Sequence, residues 1–458
     1  MNTDRMAISS GPEARLGTWS TLSIGLGGMV GGGIFAVTGL TVQITRGGAP
    51  IAFLIAGIVA LLTSYSYLKL TLSFPGEGGT VDFLNRAFGT GIITGAANIM
   101  LLFSYVVLVS VYAYAFGSYG SGFFAVAEQG FWTHVLASGV VVALVFVNLF
   151  GGSLVVRAEN LFNALKLVLL AGFIVIGLIT PMEWHRLSPE SYVSPMGMIA
   201  GAMLIFLNYE GFELIANASK DVARPERSLP IAYVGGVLLV IVIYMLIAMV
   251  VVGHLSFAEV AANSDNALSV TAQQFMGRTG FLAIAVAALL ATSSAINATF
   301  YSTGRLAFII AQSDELPERF ARSFRGQHPA GTVVTAVLAL VVANFVPLDA
   351  IATMGSAGFL LIFMAVNLAN VRMARQTGSR AWLSVIAALA TGFALAILCI
   401  EVDENPATRN HLWILVGMIV TSLAIETARR ASRGAHMHLL GPEAGCAAES
   451  SANARAER

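Results

Sequence analysis

Stretches of about twenty apolar residues recur along this chain, separated by short polar loops, and they leave few folds open. A helix that crosses the ~30 Å hydrocarbon core of a bilayer needs about 20 mostly apolar residues. Twelve runs qualify: 16–43, 49–73, 90–116, 132–150, 161–180, 196–216, 231–252, 280–311, 332–345, 351–371, 383–401 and 412–425. The ninth and twelfth are the shortest. Backbone groups in lipid have to be satisfied within their own segment, so the spans read as helices. The ten-residue alternation of a membrane β-barrel is absent. Composition agrees: 57% of the 458 residues are hydrophobic and 11% charged, against roughly 25% charged in a soluble domain. The expected fold class is therefore all-α integral membrane, with about 12 transmembrane helices.

Lys and Arg in short loops set the orientation. Arg5, Arg15, Arg86, Arg157, Lys220, Arg224, Arg227, Arg319, Arg322, Arg325, Arg372, Arg375, Arg380, Arg429, Arg430 and Arg433 fall on one side; Arg46, Arg186, Arg278 and Arg409 fall on the other. The expectation is a multi-pass protein of the cell membrane with both termini cytoplasmic: a tail over 1–15, a transmembrane domain over 16–433, and a disordered tail over 434–458 rich in Ala, Glu and Ser. Residues 1–15 lack the apolar core of a signal peptide. A formal net charge of zero gives no indication of nucleic acid as a partner. Cys399 and Cys446 make no disulfide framework. The seven histidines lie in loops, span ends or the tail, without metal-ligand spacing. No phosphate-binding loop and no nucleophile–base pair is visible, so neither an enzyme, a metal centre nor a cofactor is expected.

Three places break the lipid pattern. Span one contains Gly25-Leu26-Gly27-Gly28-Met29-Val30-Gly31-Gly32-Gly33-Ile34-Phe35. Each interior glycine costs a helix about 1 kcal/mol relative to alanine. Glycines four apart serve helix packing, but three in a row exceed that need and point to unwound backbone with a half-helix N-terminus aimed at an anion. Span six reads Phe206-Leu207-Asn208-Tyr209-Glu210-Gly211-Phe212-Glu213, two carboxylates around a glycine. A charge at mid-bilayer costs at least ~2.5 kcal/mol, so such residues face a protein interior or a cavity; alternatively Glu213 sits at a frayed end near Lys220. Lys166, one of three lysines, lies more than a turn inside span five. It either snorkels to the interface or is a buried amine that picks up and releases a proton. The breaks in spans one and six fit two repeats of five helices plus two, and paired interrupted helices point to a transporter's substrate site.

The motifs resemble those of the amino acid–polyamine–organocation (APC) superfamily. Gly28 to Phe35 is similar to its first-helix signature, and Phe74-Pro75-Gly76-Glu77-Gly78-Gly79 to its element after helix two. Tyr209 to Glu213 with Asp221 to Pro230 resembles its Gly-Phe-Glu and Asn-Pro-Glu-Arg-x-x-Pro pattern, with Arg224 where asparagine is usual. Thr292 to Ala298, Gly304-Arg305 and Leu316-Pro317 resemble its eighth helix and exit loop. The resemblance implies a 5+5 inverted-repeat, LeuT-type fold plus two C-terminal helices. It implies secondary transport of amino acids, with proton-coupled uptake expected. An amino acid/amine exchanger or a polyamine transporter of the same fold is the alternative. It places a substrate carboxylate on Gly31, Gly32 and Gly33, with Met29 and Val30 at the rim. The amine and side chain fall to Leu207, Asn208, Tyr209, Glu210 and Gly211. Proton coupling falls to Lys166 with Gly28 and Ser293 or Ser294, Thr292 being another hydroxyl in reach. Glu210 could favour a cationic substrate or join a proton path. Tyr105, Tyr112 and Tyr114 of span three are further candidates for the site. The sequence leaves the oligomeric state open. A channel would show a repeated filter or charged rings, and neither is present.

Overall fold

The computed structural model describes residues 16–150, 152–313, 315–323, 328–406 and 408–439. Residues 1–15, Arg325 and the tail from 440 lie outside the described residues, as do the side chains of 152–161 and 432–439. Among the described residues the chain is almost entirely helical, and its only β pairings are two isolated bridges, Leu16 with Val222 and Arg46 with Tyr192. Among the described residues, nine helices are each long and apolar enough to cross a membrane, and two pairs of shorter helices form broken spans bent by 47° and 49°. The ninth apolar run forms Pro329–Phe345, whose 17 residues are at the lower limit for a span.

In chain order, span one is Thr18–Met29 followed by Gly33–Thr45. Span two is Ala49–Ser73, span three Ile92–Ser121, span four Gln129–Phe150 and span five Gly152–Ile179. Span six begins with Pro195–Leu204 and resumes at Leu214–Asn217. Span seven ends in Gly236–His254. Span eight is Ala267–Gln312, span nine Pro329–Phe345, span ten Leu348–Arg372, span eleven Ala381–Glu404 and span twelve Asn410–Leu439. The two broken spans stand five apart, at equivalent positions of the two five-span halves.

The helical run Ala267–Gln312 breaks at Gly277 (φ 61°, ψ −155°), so span eight proper begins just after it, near Gly280 as the sequence reading has it, with a shorter helix before. Two features differ from the sequence reading. Span twelve is 30 residues long; beyond Ile425 it continues as a polar helix in which Arg430 pairs with Glu426 one turn earlier at 2.5 Å. It runs through Leu439 and so overlaps the segment expected to be a tail. A short amphipathic helix, Thr80–Phe88, lies in the loop after span two and buries Val81, Phe83 and Leu84.

Burial sorts the spans. The apolar stretches of spans three and ten are 78% buried, whereas those of spans four and twelve are 22% buried and present their leucines, valines and phenylalanines outward. In water such faces would be a liability; in lipid they are the solvated surface. One face of the bundle gathers Arg86, Lys220 and Arg305 around a shared depression, with Arg372 stacked over Phe88 beside it. This is called the basic face below.

Candidate substrate site

The helix of span one stops at Met29 because Gly31 to Gly33 offer no side-chain packing to hold it. Val30 still donates to Leu26 O at 2.8 Å, and helical bonding resumes when Ala36 donates to Gly32 O at 3.0 Å. The second half-helix therefore begins at Gly33 with first-turn amides that no side chain caps. Unsatisfied amides and the positive end of a helix dipole make this a place for an anion. Gly31, Gly32 and Gly33 are buried, and so are Met29 and Val30. There is no room for side chains here. A Cβ on Gly32 would meet the Tyr112 ring and the Thr292 methyl group, and one on Gly33 would run into the Asn208 amide.

Span six unwinds where its carboxylates are. After Leu204 the chain takes one tight turn over Phe206–Tyr209, is extended at Glu210 (φ −62°, ψ 145°), and passes Gly211 at φ 121°. That φ is open to glycine and strained for other residues. Leu207, Asn208, Tyr209, Glu210 and Gly211 are all buried. The irregular backbone is satisfied from neighbouring spans. The Ser356 hydroxyl of span ten donates to Leu204 O at 2.6 Å and accepts from Leu207 N at 3.1 Å. The Tyr209 hydroxyl donates to Phe53 O in span two at 2.6 Å. The Tyr244 hydroxyl of span seven lies 2.5 Å from Met29 O and 3.1 Å from Asn208 O, so one phenol bridges both breaks.

The breaks also touch directly. A Cβ on Gly28 would stand 2.7 Å from Gly211 Cα. Beside this contact lies Lys166, wholly buried, whose Nζ donates to Gly27 O at 3.2 Å. The amine thus reaches a span-one carbonyl one residue before Gly28, and its complete burial rules out snorkelling. The Asn163 amide, one turn before Lys166, is also set against Gly27. On span eight, the Thr292 methyl abuts Gly32, while the Thr292 and Ser293 hydroxyls donate back to their own helix at Ala288 O and Leu289 O, both at 2.7 Å. Ser294 is buried on the same helix, and Ala295 beside it packs against Gly31.

The two carboxylates differ. Glu213 is 2% exposed, buried rather than frayed, and accepts from Gly211 N at 2.7 Å and from the Tyr105 hydroxyl at 3.1 Å. Glu210 is 1% exposed, and neither of its oxygens has a hydrogen-bond donor. Tyr112, also of span three, sits at Gly31 and Gly32, while Tyr114 donates outward to Asp265 at 2.9 Å. Asp265 belongs to the turn Ser264–Asn266, which packs on Gly39 of span one.

Towards the basic face the way is more open. A cavity of about 10 Å³, on the scale of one water, touches Tyr105 and Glu213 and is bounded by Gly78, Ser302 and Leu306. Gly78 also lines a vestibule of about 450 Å³ that holds Glu77, Asp82, Arg86, Lys220, Arg305 and His328. Glu77 and Arg305 form an ion pair across it. That guanidinium holds the Glu77 carboxyl below its ordinary range.

Sequence reasoning missed Tyr244 and the vestibule. Tyr244 is one phenol in an otherwise aliphatic run, and the vestibule joins residues far apart in the chain. Among the described residues no three His, Cys, Asp or Glu side chains gather as metal ligands would.

Comparison with known proteins agrees with this architecture. The amino acid permease family model matches residues 16–424. An uncharacterised protein of Methanocaldococcus jannaschii is 33% identical over 80% of this chain and 84% of its own length. The inner membrane transport protein YbaT of Escherichia coli is 28% identical over 90% of this chain and 95% of its own. The branched-chain amino acid permease BcaP of Bacillus subtilis is 23% identical over 91% of this chain and 95% of its own. With two broken helices meeting in a buried site, and a family match over nearly all of its length, the chain belongs to the amino acid permeases of the APC superfamily, membrane transporters rather than enzymes.

Proposed function

We propose that this permease takes up amino acids by coupling their movement to protons, with both termini and the basic vestibule on the cytoplasmic side. The observation that carries the reading is Lys166. A wholly buried lysine donates from span five to the carbonyl of Gly27, three residues before the span-one break. An ammonium there does the work of a bound cation: protonated, it holds the carbonyl end of the first half-helix; neutral, it lets go. Coupling then means that the substrate site is intact in one protonation state and loosened in the other.

The substrate follows from the two breaks. An amino acid needs donors for its carboxylate and acceptors for its ammonium group. The uncapped turn at Gly31, Gly32 and Gly33 supplies donors. The Asn208 amide oxygen and the carbonyls of the unwound span six supply acceptors. The match to permeases over residues 16–424 supports amino acids as the class, and the name of the Bacillus relative gives branched-chain amino acids as one member of it.

The test is uptake of radiolabelled L-leucine and L-lysine into proteoliposomes, with and without an inwardly directed pH gradient. Accumulation is expected to need the gradient, to collapse with a protonophore and to be indifferent to sodium. Sodium-dependent accumulation, or accumulation unaffected by pH, would overturn the proton coupling.

A further inference from the structure

We propose that Glu210 is the specificity-determining residue of this permease and that it receives a second, cationic nitrogen of the substrate, so that the preferred substrates are amino acids of net positive charge. The inference rests on the transport reading above and deepens it.

Glu210 is 1% exposed and has no hydrogen-bond donor on either oxygen. Its polar neighbour is the Glu213 carboxyl three residues on, within hydrogen-bond reach, which gives it a donor only when the pair holds a proton. Glu213 is provided for by Gly211 N and the Tyr105 hydroxyl. Glu210 is not, and buried polar groups in proteins rarely stand without partners. The second observation is independent. Asn208 is also 1% exposed; its side-chain nitrogen and oxygen have no hydrogen-bond partner, and they are aimed at Gly33 in the span-one break. Two unpartnered polar side chains thus bracket the place where the two unwound segments meet.

A buried carboxylate in this position is a chemistry that receives ammonium and guanidinium groups through charge-assisted hydrogen bonds. Tyr112 marks the anion end, since its ring packs at Gly32 and its hydroxyl lies 3.6 Å from where a Gly31 Cβ would be. A substrate with its carboxylate at Gly31 to Gly33 would therefore have Tyr112 alongside and the span-six break facing it.

Two carboxyls, Glu210 and Glu213, and one lysine, Lys166, are buried around the Gly28–Gly211 contact, so acidic groups outnumber basic ones there. The Tyr244 hydroxyl already uses the Met29 and Asn208 carbonyls, which leaves Glu210 as the strong acceptor.

The experiment compares wild type, Glu210→Gln and Glu210→Asp in proteoliposomes, using radiolabelled L-lysine and L-leucine at equal concentration. Wild type is expected to take up L-lysine at least five-fold faster than L-leucine. Glu210→Gln should lower L-lysine uptake ten-fold or more and reduce the ratio of L-lysine to L-leucine uptake at least five-fold, while Glu210→Asp recovers part of the L-lysine rate. If the Gln variant is inactive on both, stabilisation against heat in detergent decides: L-lysine protecting wild type but not the variant supports the proposal, and equal protection overturns it. Wild type that moves L-leucine and ignores L-lysine overturns this inference and leaves the transport reading standing. Wild type that moves neither overturns both.

Discussion

Gly28 and Gly211 meet backbone to backbone, with a Cβ on Gly28 falling 2.7 Å from Gly211 Cα. The first and sixth spans cross here with nothing between them, and Gly211 holds a φ of 121° that is open to glycine alone. Alanine at Gly28 should force the two broken helices apart, at a cost of about 1–3 kcal/mol as in an overpacked core. The expected outcome is a lowered melting temperature in detergent and uptake reduced at least ten-fold. A Gly28→Ala protein with wild-type uptake would show that the crossing tolerates separation.

The Tyr244 hydroxyl serves both breaks at once through Met29 O and Asn208 O. Tyr244→Phe keeps the ring and its edge contact with Phe53. It removes the donor only, a loss of roughly 1 kcal/mol. Thermal stability should fall by a few degrees, while the rate of uptake falls more than the affinity, because the bridge sets how the breaks are held against each other. A change confined to KM would contradict this.

Lys166→Ala should abolish accumulation driven by a pH gradient. Exchange of unlabelled for labelled substrate, which needs no net proton movement, should survive at reduced rate. Lys166→Arg is expected to bind substrate and fail to cycle, since an arginine does not release its proton in proteins. Gradient-driven accumulation by the alanine variant would dismiss Lys166 from coupling.

Outside the membrane-spanning segments, Glu315 gives a pH signature. It follows span eight and is 2% exposed. Burial raises its carboxyl above the ordinary 4.5, and the Asn98 amide at 2.8 Å counters only in part. A folded-state value above the unfolded one gives stability that is full below the unfolded value and is lost as pH rises through the folded one. Glu77, held down by Arg305, has the opposite sign and loses its contribution only as pH falls below the ordinary range. Glu315→Gln keeps an acceptor for Asn98 and removes the ionisation. Its melting temperature, followed from about pH 4 to 8, should match wild type at the acid end and exceed it at the alkaline end. Superimposable curves would refute this.

The legible part of this molecule is what lipid cannot explain. Gly31 to Gly33, Glu210 and Lys166 are costly in a membrane whatever their neighbours, so their oddity survives without coordinates. The illegible part depends on angle and partner. Tyr244 looks like any aromatic in an apolar run until its hydroxyl is placed between two carbonyls. Glu77 and Arg305 are separated by more than 200 positions and meet only after spans two and eight have packed.

The isolated bridge between Leu16 and Val222 has a mechanical consequence. Leu16 donates to Asp221 O at 2.7 Å and accepts from Ala223 N at 2.9 Å, tying the approach to span one to the chain just past span six. Deeper in, Gly28 and Gly211 touch, and Tyr244 clasps the two breaks. The two broken helices are thus fastened at three heights and behave as one lever. On the proposed reading, the joints of this lever would be the unwound residues, the same few peptide units that would seat the cargo.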